Sequence, residues 1–292
     1  GLNVVYTPLC GTGNEPVREI LGRLGVNVSV VACQEKPDGD FKTCEYPNPE
    51  TDAALNESYK VAQNAPCDVI LGTDPDADRV AIAVPNGQGG FTKLSGNELG
   101  FMLLDYVLKA RTAKKDIPEG AITVRSIVSS PLADRIAEHY GVTMKTVLTG
   151  FKYIGGEILE LEGKGEEYRF VFGFEESCGY LKGTYCRDKD AVVATMLICE
   201  MTAYYHAKGM TLYDALEGLY EKYGFCLERN VEIYMEGLDG IEKGYMPPKS
   251  TVKNIFDMTP EEREADGITS LPGSLEEAVD AFEASDFIKE SL

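Results

Sequence analysis

No apolar run in this 292-residue chain approaches the ~18–20 residues that a membrane-spanning helix needs, so none is expected. A secretory leader is also lacking, and the sequence opens on strand-like residues without an initiator Met. The expectation is a chain that begins inside a longer protein. Positive charge is scarce: 28 lysines and arginines face 48 aspartates and glutamates, a net charge of −20. Such a surface repels nucleic acid and anionic membrane, and both are excluded as expected partners. An anionic substrate would need a local basic pocket to overcome the overall field. The eight cysteines form no C-x-x-C pair and sit mostly in apolar segments. Reduced thiols in a cytoplasmic protein are expected, not a disulfide framework.

Against these absences, the hydrophobic share of 43% supports ordinary cores, and the length suggests two domains. The stretch that organises the rest runs from Cys67 to Val84, CDVILGTDPDADRVAIAV. Val69-Ile70-Leu71 reads as a buried strand, Gly72 breaks it, and Asp74, Asp76 and Asp78 follow at alternate positions. Arg79 closes the loop before a second apolar run at 80–84. Three carboxylates this crowded repel one another unless a cation sits among them, and oxygen ligands suit magnesium, calcium or manganese. A solvated acidic turn is the plain alternative, but flanking strands would hold the loop at a sheet end, where α/β proteins bind ligands. An EF-hand starting at Asp74 would require Gly at its sixth position and Glu at its twelfth. Those positions hold Arg79 and Pro85, so that motif fails. The D-x-D phosphatase pattern of the haloacid dehalogenase type fits Asp76-Ala77-Asp78-Arg79-Val80 formally. Its nucleophile normally lies directly at a strand end, whereas Asp76 lies well beyond Leu71.

Along the chain, strands are expected at 3–6, 26–31 and on either side of the acidic loop. Helices are expected from about Glu15 and across 52–63. Asn86-Gly87 marks a hairpin turn leading to a strand at 91–94. Ser95-Gly-Asn-Glu98 is a capping box for a helix bearing Leu99, Met102, Leu103 and Tyr106. The charged stretch 114–120 reads as a linker. A second unit then brings strands at 122–128, 143–147 and 169–172, and helices after Thr149-Gly150, at 191–205 and at 212–223. At Ser129-Ser130-Pro131, serine caps a helix and proline occupies its first turn. The polar loop Gly173-Phe-Glu-Glu-Ser-Cys-Gly179 follows a buried strand and runs on to Arg187-Asp-Lys-Asp190. Within it, Glu175 and Ser177 could together meet vicinal sugar hydroxyls as acceptor and donor. Lys182, Arg187 and Lys189 make a positive spot in an acidic protein. Phosphate is their best use, and surface pairing with Asp188 and Asp190 is the simpler one.

A metal loop, a diol loop and a phosphate spot together point to phosphosugar chemistry. At this point the sequence resembles the α-D-phosphohexomutases, the phosphoglucomutases and phosphomannomutases, over residues 1–235. The resemblance rests on Tyr6-Thr-Pro-Leu-Cys-Gly-Thr-Gly13, Gly72-Thr-Asp-Pro-Asp-Ala-Asp-Arg79, Thr149-Gly-Phe-Lys152, Gly173-Phe-Glu-Glu-Ser-Cys-Gly179 and Arg187-Asp-Lys-Asp190. It implies the second and third of that family's four domains, here 1–118 and 119–235, each a three-layer α/β/α domain with a mainly parallel sheet. It also implies that Asp74, Asp76 and Asp78 hold Mg2+ and that Glu175 and Ser177 grip sugar hydroxyls. Thr149, Gly150 and Arg187 would lie near substrate or its phosphate, with Arg79 and Lys189 at the phosphoryl-transfer centre. The family reaction interconverts hexose 1-phosphate and hexose 6-phosphate through a phosphoserine, with a hexose 1,6-bisphosphate as activator and intermediate.

Two family motifs are missing. No T-A-S-H-N-P-like segment supplies the serine, and no R-P-S-G-type phosphate loop occurs. The expectation is therefore a partial chain, inactive alone, whose partners are a hexose phosphate and the absent N- and C-terminal mutase domains. A non-catalytic sugar-phosphate-binding protein and a Mg-dependent phosphatase using Asp76 stay open as alternatives, as does glucose against mannose preference. Residues 236–292 read as a short acidic helical tail, with capping boxes at Thr259-Pro-Glu-Glu262 and Ser274-Leu-Glu-Glu277. Tyr245-Met-Pro-Pro-Lys249 and Leu271-Pro-Gly-Ser-Leu-Glu-Glu-Ala278 resemble the C-terminal end of glutamine synthetase, which places a junction near 237–243. That resemblance carries no catalytic residues.

Overall fold

The structure, a computed structural model, describes residues 1–228 together with 258, 259, 261, 263, 280 and 283–285. Residues 1–228 form one compact unit and 229–292 a second. The tail features expected at 237–249, 262 and 271–278 lie outside the described residues.

The first sheet contains β1 (Asn3–Thr7), β2 (Asn27–Val30), β3 (Val69–Thr73), β4 (Val80–Pro85) and β5 (Phe91–Leu94). Its strand order is β2-β1-β3-β4-β5. β1 runs parallel to β2 and β3, while β4 and β5 return antiparallel. The runs VILGT and VAIAV are buried throughout because helices cover both faces of the sheet. α1 (Asn14–Arg23) lies on one face. α2 (Asn56–Ala62) lies on the other, where Val5, Val31, Leu55 and Ile70 make a separate core. A 3-10 turn at Asp52–Leu55 takes the first part of the helix expected across 52–63.

α3 (Gly96–Lys114) opens with the expected capping box, Ser95 and Glu98 each accepting the other's backbone N–H. The second sheet contains β6 (Ile122–Ser126), β7 (Thr143–Val147), β8 (Phe170–Glu175) and β9 (Gly179–Leu181), in the order β7-β6-β8-β9. Only β9 is antiparallel to its neighbour. Between the strands come α4 (Leu132–His139) and α5 (Phe151–Glu162), and α6 (Ala191–His206) and α7 (Leu212–Tyr223) follow. At the start of α4, Pro131 takes the N-cap position instead of lying in the first turn, and Ser130 Oγ, one residue earlier, accepts the Leu132 N–H at 3.2 Å. Both sheets are therefore mixed, largely parallel and sandwiched between helices, which is the three-layer plan read from the sequence.

Two ends differ from expectation. β6 stops at Ser126, because Ile127 N–H turns to the Val147 carbonyl and Ser129 N–H closes back on Ser126. β8 runs on to Glu175, because Gly173, Phe174 and Glu175 pair with Leu181, Tyr180 and Gly179 of β9. One apolar helix explains why residues 1–228 cohere. α6 packs against α1, β3 and β4 of the first sheet and against β9 of the second. Its Leu197, Ile198 and Met201 join a core that also holds Leu71, Ile82, Phe172 and Phe174.

Candidate functional site

Asp74 is the first residue beyond β3 and is only 2% exposed. The loop turns sharply after it, with Ala77 in the left-handed region at φ 61°. That turn aims two backbone donors at one carboxylate oxygen: Asp78 N–H at 3.1 Å and Arg79 N–H at 2.9 Å, both to Asp74 Oδ1. Arg79 Nε takes the other oxygen, Oδ2, at 2.8 Å. The carboxylates of Asp74, Asp76 and Asp78 come within 4.8 Å of one another, Asp74 buried, Asp78 half-buried and Asp76 exposed. Burial pushes the Asp74 carboxyl up to about 6 against the pull of its Arg79 hydrogen bonds, with repulsion from Asp78 and Asp76 adding to the rise. A set of three carboxylates, one of them buried, fits a hard divalent cation.

The segment 8–13 props this loop from below. Thr12 N–H donates to the Pro75 carbonyl at 2.8 Å. A Cβ on Gly11 would lie 2.4 Å from Pro75 Cα, so only glycine permits the approach. From the other side, Arg79 Nη1 reaches Glu50 at 3.1 Å and Asn48 at 3.4 Å.

Glu175 ends β8 and is 4% exposed. Its Oε1 accepts the Gly150 N–H at 2.6 Å. Burial raises its pKa, which the Gly150 hydrogen bond opposes, and Glu176 adds repulsion while Lys189 offsets it. Ser177 is half-buried two residues on, and Thr149 is exposed beside Gly150. The two loops meet directly. Arg79 and Gly179 form an antiparallel bridge between the sheets, with Val80 N–H donating to the Cys178 carbonyl at 3.0 Å. Lys189 Nζ then spans them, 2.8 Å from Asp78 Oδ2 and 3.0 Å from Asp188 Oδ1, with its ammonium over the Phe151 ring. Asp190 caps α6 by accepting the Val192 and Val193 N–H groups.

The structure thus brings Asp74, Asp76, Asp78, Arg79 and Lys189 together, with Glu175, Thr149 and Gly150 clustered by the shared hydrogen bond. Arg187 stands apart. Its guanidinium pairs with Glu162 of α5 and donates to the Thr184 carbonyl, so in this conformation it serves as a strut. Lys182 is half-buried on the same loop. Sequence reasoning missed Asn48 and Glu50, the partners of Arg79, because they lie 31 and 29 positions away in an irregular connection. It also missed the grip on Glu176, whose carboxylate accepts Ser126 Oγ at 2.7 Å.

The model of phosphoglucomutase/phosphomannomutase alpha/beta/alpha domain II matches residues 1–89, and that of domain III matches residues 95–223. Through residues 1–223, the chain belongs to the phosphohexomutase family. A phosphoglucomutase from Staphylococcus aureus (strain bovine RF122 / ET3-1) is 37% identical over 243 residues, covering 83% of this chain and 43% of the relative. The chain spans under half the length of the curated phosphoglucomutases it matches. Among solved structures, a provisionally named phosphomannomutase from Thermus thermophilus superposes with a TM-score of 0.61 at 23% identity, covering 77% of this chain and 46% of that one. The Aspergillus fumigatus N-acetylphosphoglucosamine mutase in complex with GlcNAc-6P and magnesium does so at 0.52 and 15%, covering 76% and 46%. At these identities the likeness establishes the fold. The phosphohexomutase match takes α3 together with the second sheet, on whose β8 and α4 it packs. Residues 232–292 match the glutamine synthetase catalytic domain as well, and the phosphoglucomutase alignments, 243 and 256 residues long, run into the start of that match.

Proposed function

We propose that residues 1–228 form the metal- and sugar-binding half of a phosphohexomutase centre acting on hexose phosphates. The observation that carries this reading is the junction of the two loops at Arg79–Gly179 and Asp78–Lys189. It sets a divalent-cation loop beside a turn suited to hydroxyl recognition, as isomerising a phosphosugar requires.

In this reading Asp74, Asp76 and Asp78 hold Mg2+, which when bound neutralises charge on a phosphoryl group. Glu175 is oriented by the Gly150 N–H, so its second oxygen, Oε2, is the one left to accept a sugar hydroxyl, and Ser177 donates beside it. Lys189 supplies the positive charge that phosphate would meet. Its ammonium lies on Asp78, and an incoming phosphate competes for it through a charge-assisted hydrogen bond. Arg79 is pinned by Asp74 and Glu50 and holds the loop while stabilising charge at its mouth. Thr149 and Gly150 lie beside Glu175, joined to it through the Gly150 hydrogen bond. Arg187 reaches substrate only if it leaves Glu162.

Within these 292 residues no T-A-S-H-N-P-type segment supplies a phosphoserine. In this reading the serine that accepts a phosphoryl group from one sugar position and returns it to the other lies outside these residues, so the chain alone binds substrate without turnover. Its eight free thiols suit the reducing cytoplasm, and among the described residues no helix is long and apolar enough to cross a membrane. The glutamine synthetase-like segment receives no catalytic role. The test is calorimetric titration of glucose 1,6-bisphosphate into the chain with Mg2+ present. Saturable binding that Glu175→Ala removes supports the reading, and an absence of binding to the unmodified chain overturns it. Release of inorganic phosphate from a hexose phosphate, abolished by Asp76→Asn, would establish the phosphatase alternative, since Asp76 is the exposed member of the trio.

A further inference from the structure

Glu176 lies between the two residues assigned to the sugar, yet it faces away from them, into a polar clasp. Its Oε2 accepts Ser126 Oγ at 2.7 Å and Ser129 Oγ at 3.4 Å, and the two hydroxyls are 2.7 Å apart. Both serines are buried, at 0% and 2% exposure. The turn carrying them is itself fixed, because Arg125 Nη1 donates to the Ser126 and Ser129 carbonyls, each at 3.0 Å. The remainder of that guanidinium forks onto Asp134 of α4. On its other side, the Glu176 backbone is pressed against the start of α3: a Cβ on Gly96 would lie 1.9 Å from the Glu176 carbonyl oxygen. Tyr180 OH donates to the Gly96 carbonyl at 3.0 Å and closes this second contact. A residue held from both sides dictates the direction of its neighbours.

We infer that Glu176 is a positioning residue: its serine clasp sets the aim of Glu175 and Ser177 and thereby the affinity for the hexose. The inference rests on the function proposed above for Glu175 and Ser177, and it adds the specific anchor that holds them. A hydrogen bond to a charged group, between partly buried partners, is strong enough for its loss to let the turn relax. Gly150 N–H, bonded to Glu175 Oε1, reports that aim without any ligand.

The test compares Glu176→Ala and Glu176→Gln in the full chain. The amide retains an oxygen that accepts the Ser126 hydroxyl, so Gln rescues what Ala loses. Two readouts are taken: the hydrogen-exchange protection of the Gly150 amide by NMR, and calorimetric affinity for glucose 1,6-bisphosphate with Mg2+. For Glu176→Ala we expect Gly150 protection to collapse and sugar affinity to fall about tenfold or more. Mg2+ affinity, set by the separate aspartate loop, should stay within about twofold, and Glu176→Gln should recover most of both losses. Unchanged Gly150 protection in a folded Glu176→Ala protein overturns the inference. A fall in Mg2+ affinity equal to the fall in sugar affinity also overturns it, since that marks general loosening. Failure of the unmodified chain to bind the bisphosphate would refute the functional reading, and the Gly150 amide would still decide the role of Glu176.

Discussion

Replacing Asp74 with asparagine should change how stability depends on pH and on magnesium together. Burial raises the Asp74 carboxyl from 3.8 to about 6 in the metal-free protein. Below that window the group is protonated in both the folded and unfolded chains. Within it only the folded chain keeps the proton, so unfolding releases one and stability falls as pH rises. The full loss from this group amounts to about 3 kcal/mol, complete by about pH 7. Asparagine does not titrate and is free of this cost. A bound cation offsets the same cost by favouring the carboxylate, and a ligand at about a hundred times its Kd adds about 2.7 kcal/mol. Urea denaturation of both proteins at pH 4, 5, 6 and 7, with EDTA and then with saturating Mg2+, checks this. Taking the difference between the two proteins cancels the other carboxylates. The wild type should lose stability relative to Asp74→Asn by roughly 2.4 kcal/mol from pH 4 to 7 in EDTA, most of the full amount, and Mg2+ at pH 7 should stabilise only the wild type. A flat difference profile, or equal stabilisation of both by Mg2+, would refute the reasoning.

Lys189→Met removes the ammonium that competes for Asp78; Mg2+ should bind about fivefold tighter, from roughly 1 kcal/mol of ion pairing, while glucose 1,6-bisphosphate binds more weakly, both read by calorimetry. Gly96→Ala drives a methyl group into the Glu176 carbonyl and should cost about 1–3 kcal/mol in urea denaturation while loosening the 175–179 turn. Phe174→Ala empties a fully buried site stacked on Phe172 and should cost about 3–5 kcal/mol in the same assay.

The parts of this site that were legible in the sequence are those written contiguously. Asp74, Asp76, Asp78 and Arg79 are residues of one loop between two apolar runs, so strand, turn and carboxylate chemistry could be read together. Glu175 and Ser177 were legible for the same reason, although Glu175 proved to end a strand. The pairing that extends β8 depends on β9, which has three residues and too little length for any periodicity. Asn48 and Glu50 carry no local signal, because their role arises only when a long connection folds back over Arg79. The partner that Arg187 takes in this structure was not legible, since a basic residue in a loop looks the same whether it faces a phosphate or Glu162 on α5. The layered fold was legible because alternating apolar strands and capped helices leave few arrangements. The embrace of both sheets by α6 was not, because a helix apolar on all sides does not name its partners.

The proposed function requires that the aspartate loop of one sheet and the Glu175 turn of the other make a single site. The most direct test is the affinity for glucose 1,6-bisphosphate measured calorimetrically with EDTA and with saturating Mg2+. If the loops act as one, Mg2+ should draw Lys189 off Asp78, free it for phosphate and tighten sugar binding by about tenfold, a coupling of about 1.4 kcal/mol. Equal affinity under both conditions would mean that the two loops are neighbours without being one site.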